Sequence, residues 1–208
     1  MDELKDHLKD LTNIQGIIYE DLGVYYLFKD LNYELINFQT HFNTNKDAIE
    51  YQLELGNDSL VIASDLTYQE IESIVKYLPN RLGVFLFGKV EVMYSRRLLK
   101  SNYQKNYQLK RVNNYIQESR TKIKFELSEN EYGTYIFDYN FYNGLDLIKL
   151  AEFVKFFIIN GKDIEIDDLI KLISLITNDE VSDVNKLFAN LNRTFLDQET
   201  IYRVKDGE

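Results

Sequence analysis

Between residues 14 and 88 one pattern returns: a short apolar run, then a stretch with helical periodicity. "IQGIIYED" precedes "LGVYYLFKDL", "ELINFQTH" precedes "NKDAIEYQLELG", "SLVIASD" precedes a segment opening with "TYQE", and "LGVFLFG" is the fourth run. The runs start about 21 to 24 residues apart, the length of a βα unit with tight loops. Strands that are apolar on both faces need cover on both faces. The pattern therefore predicts a parallel sheet under helices, with strands at 15–19, 35–39, 60–63 and 83–87. Local punctuation agrees. Gly56 is placed to end the second helix. Thr67 and Glu70 have the spacing of a capping box, and Pro79 stops the third helix.

The rhythm breaks after residue 103. Tyr103 to Arg120 is polar and basic and reads as a long loop or a poorly packed helix. Ile123–Leu127 and Thr134–Asp138 read as a hairpin turning through Ser128 to Gly133. Leu145–Ile159 has helical periodicity and is ended by Asn160-Gly161. "DIEIDD" reads as a short strand, followed by helices Asp168–Ile176 and Ser182–Leu191, the latter N-capped by Ser182, and an extended tail from Phe195. The expected architecture is α/β: a partial (β/α) TIM-barrel-like parallel sheet with an inserted antiparallel β-hairpin. It forms a single domain over 1–208, made of βα repeats (14–102), a basic loop and hairpin (103–140) and a helix–strand–helix part (141–208). Five barrel-type strands fall short of the eight that a closed barrel of roughly 250 residues uses.

The 208 residues contain no cysteine, which excludes disulfides, a cysteine nucleophile and a cysteine-ligated iron–sulfur cluster within this chain. A reducing cytosol suits such a chain, and a cytoplasmic location is expected. The first ten residues are charged, unlike a signal peptide, and the apolar run Phe153–Ile159 is interrupted by Lys155 and too short to span a bilayer. The net charge of −10 argues against general nucleic-acid affinity. That average conceals a segregation. Gly88 to Lys124 holds ten Lys/Arg and two acids, a balance of +8, which leaves 14 bases and 32 acids, −18, for the rest.

Function in a parallel sheet sits at the C-terminal strand ends, which here supply Glu20, Asp21, Thr40, His41, Ser64, Asp65, Gly88, Lys89 and Asp167. The simplest role for the acids is to cap the helix that follows, and His41 and His7 read as surface or packing residues. A peptidase needs a nucleophile with a base, or a metal-activated water. The candidates by residue type are His41, Asp65, Ser95 and Asp167. A metal set of Glu20, His41, Asp65 and Asp167 is open by chain position, but there is no HExxH pair, so neither metal nor cofactor is expected. The basic stretch offers more. Arg96 and Arg97 can fork onto phosphate oxygens, and Tyr94, Tyr103, Tyr107 and Tyr115 offer faces for unpaired bases. The expected RNA- or anion-binding set is Lys89, Tyr94, Ser95, Arg96, Arg97, Lys100, Asn102 and Tyr103. The competing reading pairs these arginines with acids such as Glu91 or Asp65.

Four segments resemble peptidase family U32, the collagenase-like peptidases. "NIQGIIYEDLGVYYLFKDLN" is similar to the family's "D-x-G" passage. "FLFGKVEVMYSRRLLKSNY" is similar to its signature strand with a basic "SxR-x-L-x-NY" string, and "ENEYGTYIFDY" to its GT hairpin. "INGKDIEIDD" with "ETIYRVK" is similar to its late strand and tail. Phe87 stands where members have histidine, Glu91 where many have cysteine, and Asp168 where a glycine is usual. About three N-terminal βα units with an "APAG" opening are not in this sequence. The resemblance implies the C-terminal two-thirds of the family's barrel. Peptidase activity is known for some members and 5-hydroxyuridine formation at the tRNA wobble position for another branch, which the cysteine-poor short members resemble. It thus implies a component of tRNA wobble-uridine hydroxylation that binds tRNA or other single-stranded RNA through residues 89–124, without a membrane. The alternatives are a peptidase, or a truncated non-catalytic subunit acting with a full-length paralogue.

Overall fold

The computed structural model describes residues 13–39 and 41–198. They divide into two compact units. The first comprises residues up to Phe85, Leu147–Ile158 and Thr194 onward; the second comprises Leu86–Asp146 and Ile159–Arg193.

In the first unit the four apolar runs become β1 (Gly16–Tyr19), β2 (Glu34–Phe38), β3 (Ser59–Val61) and β4 (Leu82–Gly88). They pair in sequence order and in parallel, Gly16 with Glu34, Ile36 with Ser59, Leu60 with Leu82, as the apolar runs predict. Between them lie α1 (Leu22–Phe28), α2 (Lys46–Glu54) and α3 (Tyr68–Tyr77). The capping box closes: Thr67 N–H donates to Glu70 Oε2 at 2.9 Å, and Glu70 N–H donates to Thr67 Oγ1 at 3.3 Å. Gly56 follows the end of α2 at φ +106°, and α3 ends two residues before Pro79. Leu60, Val61, Ile71, Val75 and Leu82 are buried between sheet and helices.

The expected helix over 145–159 is absent. Leu145–Leu150 is a 3-10 turn and Phe156–Asn160 is strand β10, which pairs with β4. "FFII" is aromatic and β-branched, and the open edge of β4 gives it partners that a helix would not. Parallel strands β1 to β4 stand, but the described residues close no barrel.

In the second unit, β5 (Glu91–Ser95), β6 (Tyr115–Gln117), β7 (Lys124–Asn130) and β8 (Gly133–Asp138) form an antiparallel sheet in the order β5-β8-β7-β6. The expected hairpin is its centre, with Asn130 opposite Gly133 across a two-residue turn. The stretch read as a long loop or a poorly packed helix begins within α4 (Leu99–Asn106), which buries no residue, and also contains the strand β6. The last residues of β4 pair antiparallel with β9 (Phe141–Asn143), and β11 (Leu191–Asn192) pairs parallel with β9.

"DIEIDD" is no strand. Helix α5 (Ile166–Thr177) begins inside it, with Asp167 and Asp168 in its first turn, where carboxylates favour the free amides. The expected helix 182–191 shrinks to a 3-10 turn (Val181–Asp183) and α6 (Val184–Leu187), and Ser182 is not its cap. Phe188 turns extended there and packs 4.9 Å from Phe87 and 5.5 Å from Phe141, ring centre to ring centre. Burying that ring outweighs another helical turn. The tail is turned rather than extended over Thr194–Asp197, and the rest lies outside the described residues.

Gly88 is one of two points in the second unit where backbone approaches backbone most closely, Gly133 being the other. At φ +121° the absent Cβ of Gly88 would lie 2.2 Å from the Asn160 carbonyl oxygen. Gly88→Ala is therefore expected to lose more than about 2 kcal/mol in chemical denaturation. Gly161→Ala, whose Cβ would meet only Leu169 Cδ2 at 3.4 Å, should stay within about 0.5 kcal/mol. Equal midpoints for the two variants would show that this approach is not a constraint.

Candidate nucleic-acid interface

Register divides the antiparallel sheet into two faces, because paired residues point the same way and neighbours along a strand alternate. One face carries Glu91, Tyr94, Tyr135, Phe137, Glu126, Lys124 and Tyr115. The other carries Ser95, Thr134, Ile136, Leu127, Glu129 and Ile116.

On the first face the charges are inward-looking. Lys89 is buried, and its Nζ lies 3.0 Å from Glu126 Oε2 while also donating to the carbonyls of Asp138 and Tyr139. Lys162 Nζ meets the other oxygen of Glu126 at 2.9 Å and lies over the Phe137 ring. Lys124 lies 4.8 Å from the Tyr115 ring centre and 5.3 Å from that of Tyr139. Burial opposes ionisation of Glu126, yet the hydrogen bonds from Lys162 and Lys89 outweigh it and hold the carboxyl below its ordinary range.

On the second face Glu129 and Thr134 hold the basic segment. Helix α4 has no capping side chain of its own. The Glu129 carboxylate replaces it, accepting from Lys100 N–H at 2.9 Å, from Ser101 N–H at 3.2 Å and from the Ser101 hydroxyl. Burial opposes ionisation here too, and the hydroxyls of Ser101 and Thr134 with these amides keep the carboxyl below its ordinary range. Thr134 is fully buried. Its hydroxyl accepts from Leu99 N–H and lies 2.9 Å from both Arg97 O and Glu129 Oε2, its one proton serving either. Gly133 completes the lock: a Cβ there would lie 2.2 Å from Ser95 O. The "SRRLLKSNY" and "ENEYGTY" strings are thus one interlocked element.

This lock presents the triplet. Arg97 N–H donates to Ser95 Oγ at 3.2 Å, and both arginines are exposed. Neither guanidinium makes an ion pair or hydrogen bond among the described residues, so pairing with Glu91 does not occur there; Asp65 belongs to the first unit. The triplet follows β5 on the antiparallel sheet, not the end of the fourth parallel strand. Of the other residues in the expected set, Lys89 is consumed by Glu126 and Lys100 donates to Asn114 Oδ1 at 2.5 Å. Tyr94 donates to Tyr132 O and packs on Tyr135, 4.8 Å between ring centres, whereas Asn102 and Tyr103 are exposed on α4.

The peptidase candidates are placed differently. Exposed His41 and Asp65 belong to the first unit, Ser95 and Asp167 to the second. Asp21 caps α1 through Gly23 N–H at 2.6 Å. Among the described residues no three His, Cys, Asp or Glu side chains group as metal ligands; His7 and Thr40 lie outside those residues. No helix among the described residues is long and apolar enough to cross a membrane. Glu126, Glu129 and Lys162 were not singled out from sequence. The GT dipeptide was, as a family string, and its chemistry is the Thr134 hydroxyl.

The molecule is thus an α/β protein with parallel strands and a tyrosine-bearing antiparallel sheet whose connecting segment, residues 96–122, is basic. The family profile described as peptidase family U32 matches residues 1–197, and the chain belongs to that family. No curated protein and no solved structure matches it.

A depressed carboxyl stabilises the fold above its unfolded pKa of about 4.3 and loses that contribution as pH falls through the lower folded value. Glu126→Gln should therefore be destabilised at neutral pH by about 3 kcal/mol, because Lys89 loses its counter-charge. It should also show a smaller drop in melting temperature between about pH 5 and pH 3 than the parent. Melting curves across that range check both; an identical acid limb would mean that Glu126 is not what the lysines require.

Proposed function

We propose that this protein is a component of tRNA wobble-uridine hydroxylation, holding RNA through residues 89–124. The oxidising chemistry is assigned to a full-length paralogue acting with it. The observation that carries the reading is the pair Arg96 and Arg97: exposed, without an ion-pair partner among the described residues, and carried on a turn locked by Thr134 and Glu129. They sit in a +8 segment of a chain that is otherwise −18. Such a field favours a polyanion at one patch while the remaining surface repels it. Arginine supplies the forked donor geometry that phosphate accepts.

Binding of unmodified tRNA at about 50 mM and about 200 mM salt tests the reading. The parent should weaken about tenfold across that range, as a few phosphate contacts imply. Arg96→Ala/Arg97→Ala should bind more weakly, with a salt slope shallower by roughly one to two contacts. A folded double variant that binds like the parent overturns the reading.

A peptidase is the competing activity. The purified chain is expected to leave gelatin and unfolded casein uncut. Cleavage abolished by Ser95→Ala or His41→Ala would replace the RNA reading with a hydrolase.

A further inference from the structure

Helix α4 and the second face of the antiparallel sheet enclose a groove of about 610 Å³. Its floor is apolar, made by Leu99, Ile116, Leu127 and Ile136. Its rim holds Tyr103, Arg111 and Asn113, and no acid is among its lining residues. We propose that this groove seats an unpaired nucleobase of a single-stranded nucleic acid, with the phosphates on the surrounding cations. The inference rests on the RNA-binding reading and adds to it a site: the groove in which an unpaired base is held.

Three observations point to that occupant. The volume lies in the ~300–1,000 Å³ span of small-molecule sites, and an apolar floor with a few polar groups is how such sites are built. The Tyr103 ring is exposed and packs beside Tyr107, 4.7 Å between ring centres, so the helix offers an aromatic surface to a flat ligand at the groove. Tyr115 also lines the groove, but its ring is already engaged by Lys124 and Tyr139.

The third is charge. Of the exposed cations, Arg111 lines the groove, and Lys105 and Lys110 are its near neighbours in sequence; none has an ion-pair partner among the described residues. An apolar peptide would suit the floor but would leave these cations unanswered; a nucleotide answers both. The Asn113 side-chain amide is also without a partner among the described residues, and it carries donors and an acceptor for a base edge. Lys100, bonded to Asn114, ties α4 to the segment entering β6. A base within a duplex cannot enter, because its faces are already stacked.

The test uses the full chain and three probes of equal length: a uridine-rich single-stranded oligoribonucleotide, the same strand with abasic positions, and a duplex. The parent should bind the base-bearing strand about tenfold more tightly than the abasic strand, and more tightly than the duplex. Tyr103→Ala should remove most of that preference without changing the salt slope. Tyr103→Phe, which keeps the ring, should restore it. Equal binding of abasic and base-bearing strands, or a Tyr103→Ala variant that keeps the preference, overturns the inference. In that event a retained effect of Arg96→Ala/Arg97→Ala on the salt slope would leave the RNA reading standing. If the parent binds none of the three probes, both fall.

Discussion

The Glu129 carboxylate carries more of the second unit than any other single group. Helix α4 is eight residues long and starts without a side-chain cap. A helix of that length is marginal alone, and its first amides need acceptors. Glu129 reaches across from β7, takes those amides and supplies negative charge where the helix dipole favours it. Thr134, fully buried, accepts from the first helical amide, Leu99 N–H, on the same side. The orientation of the Ser95-Arg96-Arg97 turn, the placement of Tyr103 and the walls of the apolar groove all follow from these two contacts.

The same economy of acids explains how a chain of net charge −10 presents a positive surface. In the second unit several carboxylates are turned to structural work. Glu126 is shared by two lysines, Glu129 caps α4, and Asp146 grips Arg193 through both oxygens at 3.1 and 2.9 Å. Glu118 closes a local turn by accepting from the amides of Arg120 and Thr121. Glu126 and Asp146 are compensated by the cations they hold, whereas Arg96 and Arg97 of the 88–124 segment have no acid beside them among the described residues. Segregation of charge here comes from which side of the sheet each residue faces as much as from composition.

The parallel half of the fold was readable because its signals are local. A continuous apolar run, a Thr-x-x-Glu start and a Gly or Pro stop each act within a few residues. The antiparallel half was readable only at its hairpin. Glu129 and Thr134 act on residues about thirty positions away, and nothing in their own neighbourhood reveals it. Residues 145–160 show the opposite failure: their periodicity suits a helix, but a long-range partner, the edge of β4, decides for strand. Arg96 and Arg97 could be singled out by charge; that they have no acid beside them could not, since pairing is a tertiary fact.

The departures from the family pattern gain a physical sense from this arrangement. The strand end that members furnish with a histidine here carries Phe87, fully buried and packed between the rings of Phe141 and Phe188. The next two residues are a glycine pressed against the Asn160 carbonyl and a lysine buried on Glu126. A strand end filled this way is closed by packing and ion pairing, with no polar group left facing a substrate from Phe87 to Lys89. The exposed, unpaired chemistry lies farther along the chain, on the antiparallel sheet and α4. The exposed groups therefore lie on the element that follows the parallel strand end and not on that strand end itself. The hairpin that supplies Thr134 and Glu129 is what holds that element in place, through the backbone of Arg97, Leu99, Lys100 and Ser101.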